Sequence, residues 1–298
     1  MKTKIHKTEL THKDKILFPK SGITKQEIFL YYESIADYIL PYLKDRPLTM
    51  QRFPRGIGEE GFFQKNASLY FPDWIETEDV RKVGGWVNHV ICNSKRALLY
   101  LVNQYVITFH TSLSTIDNIE YPDRLIFDLD PPKGDFALAI EGARVLKELL
   151  ENELGFKAFL MTTGSKGLHV VIPLKQKENF NEVHAFAKAI STYISLKNPN
   201  KFTTAIRKVK REGHLYIDFL RNSYGQTSVA PFSVRAIENA PVAVPIHWKE
   251  LDDTQLNAQF CNINNVFERL ETIENPWKNF ETNSKNISGA KEKLEVLK

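Results

Sequence analysis

The chain is expected to fold as a mixed α/β (α+β) protein, with largely antiparallel sheets flanked by helices. Two observations predict it. Helical and extended patterns alternate along the chain. Turns with glycine separate several extended runs closely enough to favour antiparallel pairing, as in "KAFLMTTGSKGLHVVIPL". With 298 residues there is room for one large domain or two modest ones.

The elements follow in order. "SGITKQEIFLYYESIADYILPYL" reads as a helix, with Thr24 as N-cap and Glu27 three residues on, a capping box. Ile28, Tyr31, Tyr32, Ile35 and Ile39 then recur at helical spacing, and Pro41 with Asp45, Arg46 and Pro47 marks the exit. "PLTMQRFPRGIGEEGFFQKNA" gives a short strand, a Gly/Pro loop and an aromatic pair. "ALLYLVNQYVITFHTSLS" gives a helix into a strand, and "RLIFDLDPP" a strand stopped by prolines. "FALAIEGARVLKELLENELGF" is an amphipathic helix closed by Gly155, and "FNEVHAFAKAISTYISLK" is another helix. "LYIDFLRNSYGQTSVAPFSVRA" gives a strand, a polar turn and a second extended segment. From about Asn279 the sequence turns polar, a linker or a loosely docked helix.

Composition narrows the function classes. Hydrophobic residues are 42% and charged residues 26%, an ordinary globular balance. No window approaches a membrane span, and "MKTKIHKTEL" lacks the apolar core of a signal peptide. Cys92 and Cys261 form neither a metal spacing nor a disulfide framework, which suits a reducing, cytoplasmic setting. A net charge of +4 permits a polyanionic partner without requiring one. Basic residues gather in "RKVKREGH" and at Lys13, Lys15, Lys20 and Lys25.

The chemistry begins at Asp128 and Asp130. On a strand, residues i and i+2 share a face, so the two carboxylates project together while Leu129 packs behind them. Carboxylates that close repel unless a proton or cation lies between them. Oxygen ligands suit Mg²⁺ or Mn²⁺, and Asp218 in "LYIDFL" offers a third. Strand-end aspartates that cap the next helix, a calcium site and a phosphatase site fit the pair as well. "TTGSKGLHVV" supplies a glycine turn whose N–H groups can cradle phosphate, with Thr163, Ser165, Lys166 and His169 as further donors. It lacks the Walker spacing.

"DRLIFDLDPP", "TTGSKGLHVVIPL" and "YIDFLRNSYGQTSVAPFSVRA" resemble the three signature motifs of the polymerase domain of the bacterial end-joining ligase D type, in the archaeo-eukaryotic primase superfamily. "THKDKILFPKSGITKQEIFLYY" and "RPLTMQRFPRGIGEEGFFQK" resemble that family's opening, and the likeness runs in order from about residue 8 to residue 270. The resemblance implies a primase-like catalytic core and a templated nucleotidyltransferase that fills gaps and extends ends in double-strand break repair. It implies two ions, Mn²⁺ or Mg²⁺, held by Asp128, Asp130 and Asp218. His110, Thr163, Ser165, Lys166, Gly167, His169, Arg211 and Arg235 would bind the nucleotide, His110 near the sugar. Lys15, Lys25 and Arg52 would take a 5′-phosphate, and Phe62 and Phe63 would stack on a base.

Implied partners are DNA with gaps or broken ends, an NTP or dNTP, a DNA ligase and a Ku-like end-binding protein, near a bacterial nucleoid, with no membrane. The implied layout is one domain over 1–280: an end-binding part to about 110, a catalytic core to about 250 and a helical part over 251–280. A polar tail covers 281–298. The chain carries no ligase-like lysine motif, so the polymerase either stands alone or is one part of a longer protein. It departs from the family at Arg221 and Gln226, where glutamine and lysine are frequent, and Thr163 stands in place of a serine. A de novo primase and a non-catalytic module that bridges DNA ends are the competing readings.

Overall fold

The structure, a computed structural model, describes residues 9–132 and 134–297. Its centre is a six-stranded sheet and a four-stranded sheet. In the larger one the strands run Phe202–Thr203, Leu215–Asp218, Arg124–Asp130, Leu168–Pro173, Phe159–Thr162 and Val244–Ile246. Every neighbouring pair is antiparallel except the first, which is parallel. The smaller sheet runs Thr227–Val229, Val106–Ser112, Leu48–Arg52 and Phe62–Gln64, antiparallel throughout. The mixed, largely antiparallel expectation is therefore met. Two hairpins stand apart from these sheets, Ile16–Phe18 with Ile23–Thr24 and Thr77–Lys82 with Gly85–Val90.

The helix Lys25–Leu43 starts where the capping box puts it: the Thr24 hydroxyl accepts from the Glu27 amide, and the Glu27 carboxylate accepts from the Thr24 amide. Its apolar stripe faces the smaller sheet, where the Tyr32 hydroxyl donates to the Ile107 carbonyl at 2.6 Å. The exit predicted at Pro41 comes later, at Leu43. In the last turn a proline forfeits one hydrogen bond without ending the helix. The helix Phe136–Glu148 covers the Leu129 face of the larger sheet, and Gly142 brings its backbone close to Leu215 and Leu129.

Two points of layout become concrete. A division at residue 110 would cut the strand Val106–Ser112, and one apolar core runs from Leu17 to Leu294. Chain order and spatial order part here, because the late strand Thr227–Val229 pairs with an early one. The polar tail contains a docked helix, Ser288–Leu297, with Ala290 and Leu294 buried. The Ile287 amide donates to Glu178, and Lys285 bridges to Leu174, so backbone pairing as well as apolar contact holds it. Among the described residues no helix is long and apolar enough to cross a membrane.

Candidate active site

The larger sheet places three acidic side chains on one face. Asp128 lies opposite Asp218 in the antiparallel register, and on its other side opposite His169. Asp130 shares that face two residues on. Behind them Leu129, Leu168 and Ile217 are fully buried. The apolar alternation of "RLIFDLD" thus fixes which way the carboxylates point. Across an open cleft of about 460 Å³ stands the smaller sheet, with His110, Thr227, Ser228 and Val229 on its wall.

Each carboxylate has a partner. Asp128 meets His169 Nε2 at 3.4 Å and Arg221 Nε at 3.3 Å. Burial favours its neutral form, yet His169 and then Arg221 outweigh that and bring its pKa down to about 2. Asp130 faces Arg211 at 3.7 Å. Asp218 accepts from the Tyr216 hydroxyl at 3.2 Å and from the Leu220 amide at 2.8 Å. Burial, and next the charge of Asp128, push both Asp130 and Asp218 above the usual carboxylate range. That mutual repulsion is what a cation would relieve, and the all-oxygen donor set suits a hard divalent ion. As they stand, no three acidic, imidazole or thiol groups among the described residues converge closely enough to hold one ion. The donor types fit a metal, and the present side-chain positions are drawn instead to internal partners.

The glycine turn joins Phe159–Thr162 to Leu168–Pro173 as an antiparallel hairpin. Gly164 has φ +63, and Gly167 passes so near the Leu129 carbonyl that a Cβ there would sit 1.9 Å away. Thr163 proves to be a shaping residue. Its hydroxyl accepts from the amides of Ser165, Lys166 and Gly167 at 3.2–3.3 Å and donates to the Gly167 carbonyl. Ser165 and Lys166 line the cleft, and Arg235 enters from the far side, donating to the Thr163 carbonyl at 3.0 Å.

His110 has an Nδ1 that is buried without a partner. Burial, then the charges of Arg235 and Arg221, lower its pKa to about 3, so the ring is neutral. Ser228 approaches His169 Nδ1 at 3.4 Å and ties the two walls together. Sequence reasoning missed Ser228, Tyr216 and Asn222. Each belongs to a quoted motif, but their contacts depend on strand pairings that no local spacing reveals.

The residues given to a 5′-phosphate gather around Gln104 and Tyr105, with the Lys15 and Lys25 ammoniums over the same Tyr105 ring, but their donors are not equally free. Lys15 donates to the Pro54 carbonyl at 2.6 Å, beside the Tyr105 ring. Lys25 is fully buried, and its ammonium reaches the Thr11 carbonyl, the Thr11 hydroxyl and Asn103 Oδ1. Burial and the neighbouring Lys15 bring its pKa down to about 8. The Arg52 guanidinium is committed to the Gln104 carbonyl, Gln64 and the Tyr70 hydroxyl. Phe62 and Phe63 are exposed on the short strand beside it, Phe62 against Arg52 and Phe63 edge-on to His110.

A family model described as the LigD primase-polymerase domain matches residues 24–277. The chain belongs to that family. Primase-polymerases are nucleotidyltransferases, and metal dependence is general in the family. Similar curated proteins include the bifunctional non-homologous end joining protein LigD of Bacillus subtilis strain 168, 34% identical over 93% of this chain and 44% of that protein. The multifunctional LigD of Pseudomonas aeruginosa is 35% identical over 94% of this chain and 34% of that protein. The chain thus spans less than half the length of these relatives. The polymerase domain of Mycobacterium tuberculosis ligase D, solved in complex with DNA, superimposes with a TM-score of 0.86 at 30% identity, over 93% of this chain and 99% of that one.

Proposed function

We propose that this primase-polymerase domain adds nucleotides at gaps and broken DNA ends, copying a template, in non-homologous end joining. The observation that carries the reading is the row of Asp128, Asp130 and Asp218 on one sheet face, beside a glycine turn and opposite His110.

Nucleotidyl transfer is mostly positioning and charge neutralisation. Asp128, Asp130 and Asp218 would hold two ions, Mn²⁺ or Mg²⁺; when bound, these supply positive charge to the triphosphate and acidify the primer 3′-hydroxyl. Lys166 and Arg235 bring further positive charge to the cleft, with Ser165 and the turn amides beside them. Neutral His110 can give or take a hydrogen bond from a sugar hydroxyl, and a 2′-hydroxyl contact favours ribonucleotides. Phe62 and Phe63 offer faces to bases without reading sequence. The test is single-nucleotide incorporation on a one-nucleotide gap with a 5′-phosphate, using Mn²⁺ and Mg²⁺, ribo- and deoxynucleotides. Metal-dependent, templated addition supports the reading; DNA binding without addition under every condition would make the module an end-bridging one. A ligase and a Ku-like protein would act on the same ends.

Two substitutions probe the DNA side. Lys15 keeps two N–H donors for a phosphate, whereas those of Lys25 are taken. Lys15→Ala should therefore erase the preference for a phosphorylated gap while the melting temperature holds. Lys25→Ala should lower the melting temperature, since it orphans the Thr11 carbonyl and takes one of three donors from Asn103 Oδ1, at about 1–3 kcal/mol. A wild type indifferent to the 5′-phosphate would count against the pocket. Phe63 is 62% exposed, more than packing needs. Phe63→Ala should weaken binding of template with an unpaired base by about tenfold, as one lost stacking contact allows, read by fluorescence anisotropy. Unchanged affinity would assign the ring to packing.

A further inference from the structure

We propose that Arg221 is a resident counter-cation for the carboxylate pair, which divalent metal must displace, so that this side chain sets the metal concentration at which the site loads. The inference rests on the polymerase reading above, and concerns its resting state. Directly opposed like charges on neighbouring strands repel, and Asp128 and Asp218 are such a pair. Arg221 Nε lies 3.3 Å from Asp128 Oδ2 and 4.0 Å from Asp218 Oδ2, reaching both. It is the one arginine in ion-pair contact with two of the three carboxylates among the described residues.

The placement is built into the fold. The next residue, Asn222, is fully buried; it accepts from the Ile126 amide at 2.8 Å and donates to the Ile126 and Phe219 carbonyls. This clamp fixes the turn to the strand that carries Asp128, while the Arg221 side chain stays 41% exposed on the cleft side. From that pivot the guanidinium can leave the carboxylates without moving backbone. An arginine cannot shed its charge at working pH, so the exchange is cation for cation and not proton for cation.

The groups facing Arg221 define the exchange. Asp128 and Asp218 attract it, and Asp130 lies near enough to add to that pull. A divalent ion entering between the carboxylates would meet this positive charge first. Removing the charge should raise the intrinsic affinity for metal in the absence of nucleotide.

The experiment is Mn²⁺ binding followed by electron paramagnetic resonance, on wild type, Arg221→Gln and Arg221→Met, with no nucleotide or DNA. Circular dichroism checks the fold of each. Both uncharged variants should bind Mn²⁺ at least tenfold more tightly than wild type, and Arg221→Lys should remain close to it. Equal or weaker binding in either folded uncharged variant overturns the proposal while the metal reading stands. Absence of Mn²⁺ binding in every protein, Arg221→Gln included, overturns both.

Discussion

Asp128→Asn is expected to lower nucleotide incorporation on the order of 10³-fold, as loss of a preorganised charge at a reacting centre does. DNA binding should stay within about threefold of wild type. Asparagine has nearly the same shape, and its amide oxygen can still accept from His169. What disappears is the charge that answers His169 and Arg221 and that would draw a divalent ion. The DNA contacts proposed for Lys15, Phe62 and Phe63 lie on other elements, so binding and chemistry should separate. Single-turnover extension and anisotropy on one gapped duplex make the comparison. Incorporation within about tenfold of wild type would remove Asp128 from the chemistry.

Gly167→Ala is the second large effect. A methyl there would lie 1.9 Å from the Leu129 carbonyl oxygen and 3.1 Å from Pro131 Cδ. These are backbone and ring atoms of the strand end that carries Asp128 and Asp130, and they have no rotamer to yield. The cost should reach about 3 kcal/mol or more, at the severe end of overpacking. In a chain of this size that lowers the melting temperature by roughly 5 °C or more. Gly213→Ala is the control. Gly213 has φ +81 with open space around it, so only its left-handed backbone opposes a side chain, at about 1 kcal/mol. Equal melting temperatures for the two variants would mean that the turn is not packed as described.

Local pattern made part of this legible. The capping box at Thr24 and Glu27, the shared face of Asp128 and Asp130, and the hairpin through "TTGSKG" all follow from spacing of a few residues. The position of Asp218 does not. Its strand reaches Asp128 across some ninety positions of chain, through a pairing set by the whole sheet. For the same reason "LYIDFLRNSYGQTSV" reads as a strand, a turn and an extended segment, and only the fold shows that its two strands belong to different sheets. Lys25 shows what a motif likeness leaves open. The family resemblance implies a phosphate ligand there, and the fold shows Thr11 and Asn103 closing around its ammonium. Thr163 is similar: a hydroxyl in a glycine turn looks outward in sequence and turns inward in space.

The stretch between Asp218 and Thr227 has a mechanical meaning. It is one of three stretches that carry the chain between the two sheets, with 113–123 and 230–243, and Asn222 rivets it to the strand of Asp128 at the seam. A rivet beside the reacting groups fixes the spacing of the two walls where it sits. The His169–Ser228 contact lies at that seam. The separation of carboxylates and imidazole is thereby a property of the joint itself, not of the loose ends of either sheet.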